Sequence, residues 1–160
     1  MKEIKLTTTF FEYESIEALS LADQQLMQAA IAIRKQAYAP YSKFRVGAAL
    51  LLDDGSVIEG ANQENAAYPS GLCAERTAIF YAGATRPQAV IVAIAISACS
   101  DLKQTTTPIP PCGACRQAIL EYENKQQQPI RMLFMGAAGP VVESPSLINM
   151  LPFHFDEDSL

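Results

Sequence analysis

Apolar residues repeat every three or four positions in the segment that follows Ser20, which predicts an amphipathic helix with one buried face. The repeating positions are Leu26, Ala30, Ile33 and Ala37. Residues 20–23 resemble a helix-capping box with a short acid, so the helix is expected to begin there. Pro40 is expected to end it, because the residue before a proline disfavours helical backbone angles.

Shorter apolar runs after Pro40 predict a β-hairpin. The runs are residues 46–52 and 57–62, and the sequence Asp53-Asp54-Gly55-Ser56 between them is typical of a turn. Glycine and alanine at positions 47–49 indicate that another element packs closely against the first strand.

The most apolar segment, residues 88–97, has almost no polar position, which predicts a strand buried on both faces. A helix at 73–84, ended by Gly83 or by Arg86-Pro87, is predicted before it, and a helix at 113–125 and a strand at 130–135 after it. A short strand at 141–142 and a short helix at 146–151 complete the pattern, while residues 1–14 are expected to form an extended arm or short strand. Helices alternating with strands predict a layered α/β fold in one domain over residues 1–160.

Composition narrows the class of protein. The 160-residue chain is 49% hydrophobic and 18% charged, as is typical of a globular protein and not of a disordered one. Its net charge of −5 argues against nucleic acid as the main partner, since phosphate binding needs a basic face. No apolar run approaches the roughly 20 residues of a membrane helix, and the N-terminus has no signal-peptide pattern. We therefore expect no membrane partner and a cytoplasmic protein with reduced cysteines.

Three cysteines, Cys73, Cys112 and Cys115, are placed to hold a metal ion. Each of the two motifs begins a predicted helix, and the positive end of a helix dipole favours thiolate over thiol. A zinc ion with three protein ligands keeps a fourth position for water, and Glu75 is near enough in sequence to exchange protons with that water. Arg76 and Arg116 are candidates to withdraw charge from the thiolates.

Three other interpretations of the cysteines remain open at this point. Cys99 could complete a structural zinc site, the Cys112/Cys115 pair could be a redox motif, or the cysteines could be unrelated core residues. Cys99 has no motif spacing and follows the predicted buried strand, and a redox motif leaves Cys73 and Glu75 unexplained. The residues favour catalytic zinc.

The motifs as a set resemble those of the small-subunit, homotetrameric, zinc-dependent cytidine deaminase family. The resemblance extends from about residue 21 to the end of the chain. Its zinc motifs are Cys73-Ala74-Glu75-Arg76 and residues 111–117, its substrate segments are residues 41–49 and 62–68, and its C-terminal segment is residues 150–155.

This resemblance implies a three-layer α/β/α sandwich with a central mixed β-sheet and one zinc ion per chain. It implies deamination of cytidine and 2′-deoxycytidine, a reaction of pyrimidine salvage, in a homotetramer with shared active sites. The implied zinc ligands are Cys73, Cys112 and Cys115, the proton shuttle is Glu75, and the residue that hydrogen-bonds the zinc thiolates is Arg76. The implied substrate contacts are Asn62 and Glu64 with the ribose, Phe44 and Phe155 with the base, and the Ala74 backbone with the pyrimidine.

Two rival functions share parts of this pattern. A deaminase of the blasticidin type has the zinc motifs, but Asn62 and Glu64 lie two residues apart and would share a strand face suited to a sugar hydroxyl. A non-catalytic zinc module would have no use for Glu75. Phe153 is an alternative to Phe155 beside the base, and His154 between them is interpreted as structural or exposed.

Overall fold

A six-stranded mixed sheet forms the centre of the molecule. The computed structural model describes the backbone of residues 1–160 and all side chains except that of Asp158. The strands are β1 (Phe11–Tyr13), β2 (Phe44–Leu52), β3 (Val57–Ala61), β4 (Ile91–Ser100), β5 (Arg131–Met135) and β6 (Val141–Ser144). Their spatial order is β1-β6-β5-β4-β2-β3; β4 and β5 run parallel and every other neighbouring pair is antiparallel. The predicted hairpin is confirmed as β2 and β3.

Three helices cover the two faces of this sheet. They are α1 (Leu21–Arg34), α2 (Ala74–Thr85) and α3 (Gly113–Gln126). One face packs against α1 through a cluster that includes Leu26, Met27, Ala49, Leu133 and Met135. The other packs against α2 and α3 through a larger cluster that includes Ala78, Ile79, Ile94, Ile96 and Ile119. The predicted three-layer α/β/α architecture is therefore confirmed, and it explains why β4 is apolar on both faces.

The first helix begins where the sequence predicts and ends earlier. Ser20 is the N-cap, and its hydroxyl accepts a hydrogen bond from the Asp23 amide at 3.2 Å. The helix ends at Arg34, six residues before Pro40, so the predicted end is wrong. The physical reason is a long-range backbone contact. The Tyr38 N–H donates to Asn62 O at 3.0 Å, which pulls residues 37–39 out of helical geometry.

Close packing against the first strand of the hairpin is confirmed at Gly47. A Cβ atom at this position would lie 2.1 Å from the carbonyl oxygen of Ala30, so α1 sits directly on β2. On the opposite face, α2 ends at Thr85, which makes Arg86-Pro87 its terminator and not Gly83.

The N-terminal segment contributes the edge strand β1. The Tyr13 hydroxyl donates to the Glu143 carboxylate at 2.7 Å. The Arg131 guanidinium pairs with Glu143 at 3.1 Å and with Asp23 of α1 at 2.7 Å. This network ties the edge strand to the sheet and to the first helix. Residues 147–150 form a single 3-10 turn in place of the predicted short helix. No helix among the described residues has the length and apolarity needed to cross a membrane.

Candidate active site

Two helix N-termini bring the three predicted metal ligands together. Cys73 is the N-cap of α2, Cys112 is the N-cap of α3, and Cys115 lies in the first turn of α3. The Cys73 and Cys112 sulfur atoms are 4.0 Å apart, those of Cys112 and Cys115 are 3.5 Å apart, and all three lie within 4.8 Å of one another. Zinc–sulfur bonds of about 2.3 Å at tetrahedral angles place sulfurs roughly 3.8 Å apart, so the cluster fits a zinc ion.

Cys99 lies outside this cluster. Its thiol donates to Ser100 O at 3.5 Å, and among the described residues the only metal-binding group of three or more ligands is Cys73, Cys112 and Cys115. The four-cysteine structural site therefore has no geometric support.

The cluster favours negative charge at Cys73, whereas the hydrogen bond with Cys73 and burial raise the pKa of Cys115. Hydrogen bonds from Cys115 and from the Arg76 guanidinium lower the pKa of Cys73 to about 5, although burial opposes the shift. Arg76 approaches Cys73 Sγ at 3.7 Å, and its buried Nε has no hydrogen-bond partner among the described residues. A buried donor left over beside three thiols is suited to a cluster of thiolates on a metal, which would accept from it.

Glu75 lies beside the thiols in the first turn of α2 and is only 4% exposed. Burial raises its pKa to about 7, and negative charge at Cys73 acts in the same direction. A carboxyl group poised near neutral pH can both accept and release a proton, as general acid–base catalysis requires.

A cleft of about 690 Å³ opens next to Cys73, Glu75 and Cys112. This volume is within the range that small-molecule sites occupy. Its apolar wall includes Phe44, Val46, Leu72, Ile96, Ile109 and Pro110, and its polar residues include Asn62, Glu64, Asn65 and Arg76.

Asn62 and Glu64 line the cleft together, although β3 ends at Ala61 and does not continue through them. The Asn62 side chain bridges the start of β2, accepting from Val46 N at 2.8 Å and donating to Phe44 O at 2.9 Å. One N–H and one oxygen lone pair of Asn62 remain available for a ligand.

The Glu64 carboxylate caps the turn before β2. It accepts from Tyr41 N at 2.9 Å, from Ser42 N at 3.2 Å and from the Ser42 hydroxyl. These hydrogen bonds outweigh the cost of desolvation and lower the pKa of Glu64. A sugar hydroxyl that binds Glu64 therefore adds to, or replaces, the contact with Ser42.

The C-terminal aromatic residues do not reach the cleft of their own chain. Phe153 and Phe155 are 82% and 59% exposed, and the Phe155 carbonyl accepts from Gln117 Nε2 at 2.8 Å. His154 contacts Leu151 O and Asp156, in keeping with a structural role. Phe44 and the buried Ala74 do lie at the cleft and at the start of α2 respectively.

Arg116 makes no hydrogen bond to the thiols among the described residues, so the predicted contact with the sulfurs is not found. Its Nε donates to Pro111 O and its Nη1 to Met150 O, each at 2.9 Å. Tyr41 and Tyr68 also line the cleft, although neither was predicted individually as a site residue, and their ring centroids lie 6.2 Å apart in an edge-to-face arrangement. Tyr41 lies in the substrate segment at residues 41–49 and Tyr68 in the one at residues 62–68. Their position in these segments was the signal from which a role at the site could have been predicted.

Comparison with known proteins gives a consistent result. Residues 20–128 match the family described as the cytidine and deoxycytidylate deaminase zinc-binding region. A cytidine deaminase of Halalkalibacterium halodurans is 54% identical over 98 residues, covering 61% of this chain and 70% of that protein. A cytidine deaminase of Sporosarcina psychrophila is 40% identical over 127 residues, covering 79% and 86%. The crystal structure of cytidine deaminase from Burkholderia pseudomallei has a TM-score of 0.72 at 42% identity, covering 82% of this chain and 97% of that one.

The layered fold, the thiol cluster and the buried glutamate at a small-molecule cleft define a zinc-dependent hydrolase of the deaminating class. The chain belongs to the cytidine and deoxycytidylate deaminase zinc-binding family.

Proposed function

We propose that this protein catalyses the hydrolytic deamination of cytidine and 2′-deoxycytidine to uridine and 2′-deoxyuridine, with release of ammonia. The observation that carries the proposal is the position of Glu75, buried beside three clustered thiols at the wall of a cleft of about 690 Å³. The similar proteins of Halalkalibacterium halodurans and Sporosarcina psychrophila carry the name cytidine deaminase, which supports the substrate.

The residues have separate roles in this reaction. Cys73, Cys112 and Cys115 hold one zinc ion per chain, and zinc in such sites makes water acidic enough to be deprotonated near neutral pH. Glu75 accepts the proton of the attacking water and passes it to ring N3 of the substrate, which makes C4 more electrophilic. Glu75 then takes the proton of the new C4 hydroxyl and delivers it to the amine, so that ammonia leaves and the C4 carbonyl forms. Arg76 donates to the Cys73 sulfur and limits how much charge the thiolates transfer to the metal.

Substrate binding uses the other walls of the cleft. Phe44 packs beside the base, and the backbone at Ala74 contacts the pyrimidine edge. The free N–H of Asn62 and the carboxylate of Glu64 bind ribose hydroxyls, which favours a nucleoside over a substrate of the blasticidin type. Both side chains line one cleft, which supports this assignment.

The active unit is a homotetramer of single-domain chains, residues 1–160, in the cytoplasm. Phe155 contacts the base in the site of a neighbouring subunit. Its 59% exposure and its position away from its own cleft are consistent with a residue that serves another chain.

The direct test is to incubate the purified protein with cytidine and measure uridine, ammonia and zinc on the same sample. Stoichiometric zinc without turnover would instead identify a non-catalytic zinc-binding module. The ribose assignment is tested by kcat/KM for cytidine, cytosine, 3′-deoxycytidine and cytidine monophosphate. Sites built around a substrate hydroxyl reject analogues lacking it by up to about 10⁴–10⁵-fold. Glu64→Ala should reduce the advantage of cytidine over 3′-deoxycytidine, whereas Glu59→Ala, at an exposed position on β3, should not.

A further inference from the structure

Two charged side chains of α3, seven residues apart along the helix, hold the two ends of the 147–150 turn. At one end, the buried Glu123 carboxylate accepts four hydrogen bonds and is only 7% exposed. The donors are Ser146 Oγ at 2.6 Å, Leu147 N at 2.8 Å, Ile148 N at 3.1 Å and Ile130 N at 2.7 Å. Four donors on one carboxylate offset the cost of burying its charge, so the N-terminal end of the turn is firmly fixed.

At the other end of the turn, Arg116 joins two separate segments. Its Nη1 donates to Met150 O, the last residue of the turn, and its Nε donates to Pro111 O, the residue before Cys112. Two bonds from one planar guanidinium set the relative position of the two carbonyl groups. The turn is thereby connected to the segment that carries a thiol of the metal cluster.

The segment before Cys112 has few other restraints. Within residues 106–111, in the part of the chain that the structure describes, the hydrogen bond from Arg116 to Pro111 O is the only one that these residues make. Cys112 is also the only exposed residue among the three cysteines of the cluster. Pro111 immediately precedes Cys112, so the contact of Arg116 with the Pro111 carbonyl, together with the backbone bond from Arg116 N to Cys112 O, positions this exposed sulfur.

We propose that Arg116 is a positioning residue for the metal ligand Cys112, and that Glu123 fixes Arg116 through the 147–150 turn. The two side chains act as one unit because the turn transmits the position of Glu123 to the Met150 carbonyl. This inference rests on the proposed ligation of zinc by Cys112. It does not depend on which substrate is deaminated, so a protein that binds zinc without turning over cytidine still tests it.

The test compares Arg116→Met, Glu123→Gln and the double variant with two controls. Arg86→Met removes a half-exposed arginine that pairs with Asp54 at the surface, and Glu121→Gln changes an exposed glutamate on the same helix. The zinc-loaded proteins are mixed with a chromophoric chelator and the rate of zinc release is followed. Cobalt(II)-substituted samples report the geometry of the thiolates through their absorption spectra. Melting temperatures are recorded in parallel.

Arg116→Met should release zinc about 10–100-fold faster than wild type, the usual scale for residues that orient metal ligands. It should also shift the cobalt–thiolate bands. Glu123→Gln should act in the same direction and more weakly, since glutamine presents an N–H group to donors that need an acceptor. The double variant should release zinc more slowly than the two single effects multiplied predict, because both act through one turn.

Wild-type rates of zinc release in Arg116→Met and Glu123→Gln, with only the melting temperature lowered, would show that both residues are merely structural. Fully multiplicative effects in the double variant would overturn the coupling through the turn. If Arg116→Met does not fold, Arg116→Lys keeps one of the two donors and should give an intermediate rate of zinc release. A rate equal to that of Arg86→Met would then contradict the proposal.

Discussion

Gly60 of β3 lies directly under the first turn of α2, where a Cβ atom would come within 2.6 Å of the Ala74 carbonyl oxygen. The same turn contains Glu75 and Arg76 and follows Cys73. Because Gly60 has no side chain, the first turn of α2 can pack in direct contact with β3.

Gly60→Ala should push the start of α2 away from the sheet and disturb the thiol cluster. Overpacking of this kind typically costs about 1–3 kcal/mol of unfolding free energy. Gly47→Ala is the matched control, because its Cβ would clash with Ala30 of α1 on the opposite face. Both variants should unfold at lower denaturant concentration, but only Gly60→Ala should lose zinc affinity per folded molecule. Equal zinc retention in the two would show that the α2 start tolerates the shift.

Substitution of Cys112 and substitution of Cys99 should have different effects on zinc binding. Cys112→Ala should lose zinc and stability, since structural zinc sites supply about 10–16 kcal/mol of binding free energy that is linked to folding. Cys99→Ala should retain one zinc per chain, because Cys99 lies outside the cluster. Metal content by elemental analysis of both purified variants decides the point. Zinc loss from Cys99→Ala with retention in Cys73→Ala would reverse the assignment.

Glu75→Gln should keep the zinc ion and the fold while turnover falls. The amide occupies the same buried space but cannot carry a proton between water and substrate. The expected loss in kcat is about 10²–10⁴-fold, the scale of general acid–base catalysis. Measuring kcat, zinc content and the melting temperature on one preparation separates chemistry from misfolding. Turnover near that of wild type would exclude Glu75 from the mechanism.

Asp23 should stabilise the fold in a pH-dependent way. Burial raises its pKa, but hydrogen bonds from Arg131 and Ser20 outweigh that effect and leave the pKa below its usual 3.8. Arg131 also contacts Glu143, and the Tyr13 hydroxyl donates a hydrogen bond to Glu143. Because the folded pKa is the lower one, folding favours the charged carboxylate. The stabilisation is therefore present above about pH 3.8 and is lost as pH falls through the folded value.

Asp23→Asn should accordingly lower the unfolding free energy by about 1 kcal/mol at neutral pH, a modest value because the pair remains partly hydrated. The difference from wild type should shrink below pH 3.8, when wild-type Asp23 is protonated too. Denaturant titrations at several pH values measure this. A difference that stays constant down to the acid limit would mean that the charge of Asp23 contributes nothing.

Shared active sites can be tested by mixing two defective proteins. Glu75→Gln lacks the proton shuttle, and Phe155→Ala lacks the exposed aromatic ring. If Phe155 serves a neighbouring subunit, hybrid tetramers contain sites with Glu75 from one chain and Phe155 from the other. Activity should then exceed the sum of the two separate proteins after dissociation and reassembly. Light scattering should give about four times the 17.4 kDa chain mass, and a fully active monomer would contradict the assembly.

Local sequence signals were sufficient where the structure depends on neighbouring residues. Ser20 capped α1 as expected, the turn at residues 53–56 closed the hairpin, and Cys73 and Cys112 both proved to be helix N-caps. In these places backbone propensity and the buried pattern agree, so the local sequence determines the element.

The predictions that were wrong concern contacts between segments that are distant in sequence. The pairing of Tyr38 with residues 62–64 ended α1 early, and nothing within the helix itself predicts that contact. Arg116 was expected near the thiols from its proximity in sequence, but its side chain bonds Met150, 34 residues away. Glu123 looks in sequence like an ordinary solvated helix residue, because its four donors come from segments that only the tertiary fold brings to it.

The thiols of Cys73 and Cys112 are 39 positions apart in the chain, and the segment between them contains all of α2 and β4. A metal ion that bridges them converts this segment into a closed ring, so the unfolded chain loses conformational entropy in the same way as with a covalent cross-link. By the relation used for disulfides, a ring of this size is equivalent to about 4 kcal/mol at 25 °C. The ion that serves the chemistry is thus also a topological restraint on the central sheet and on one of the helical layers that cover it.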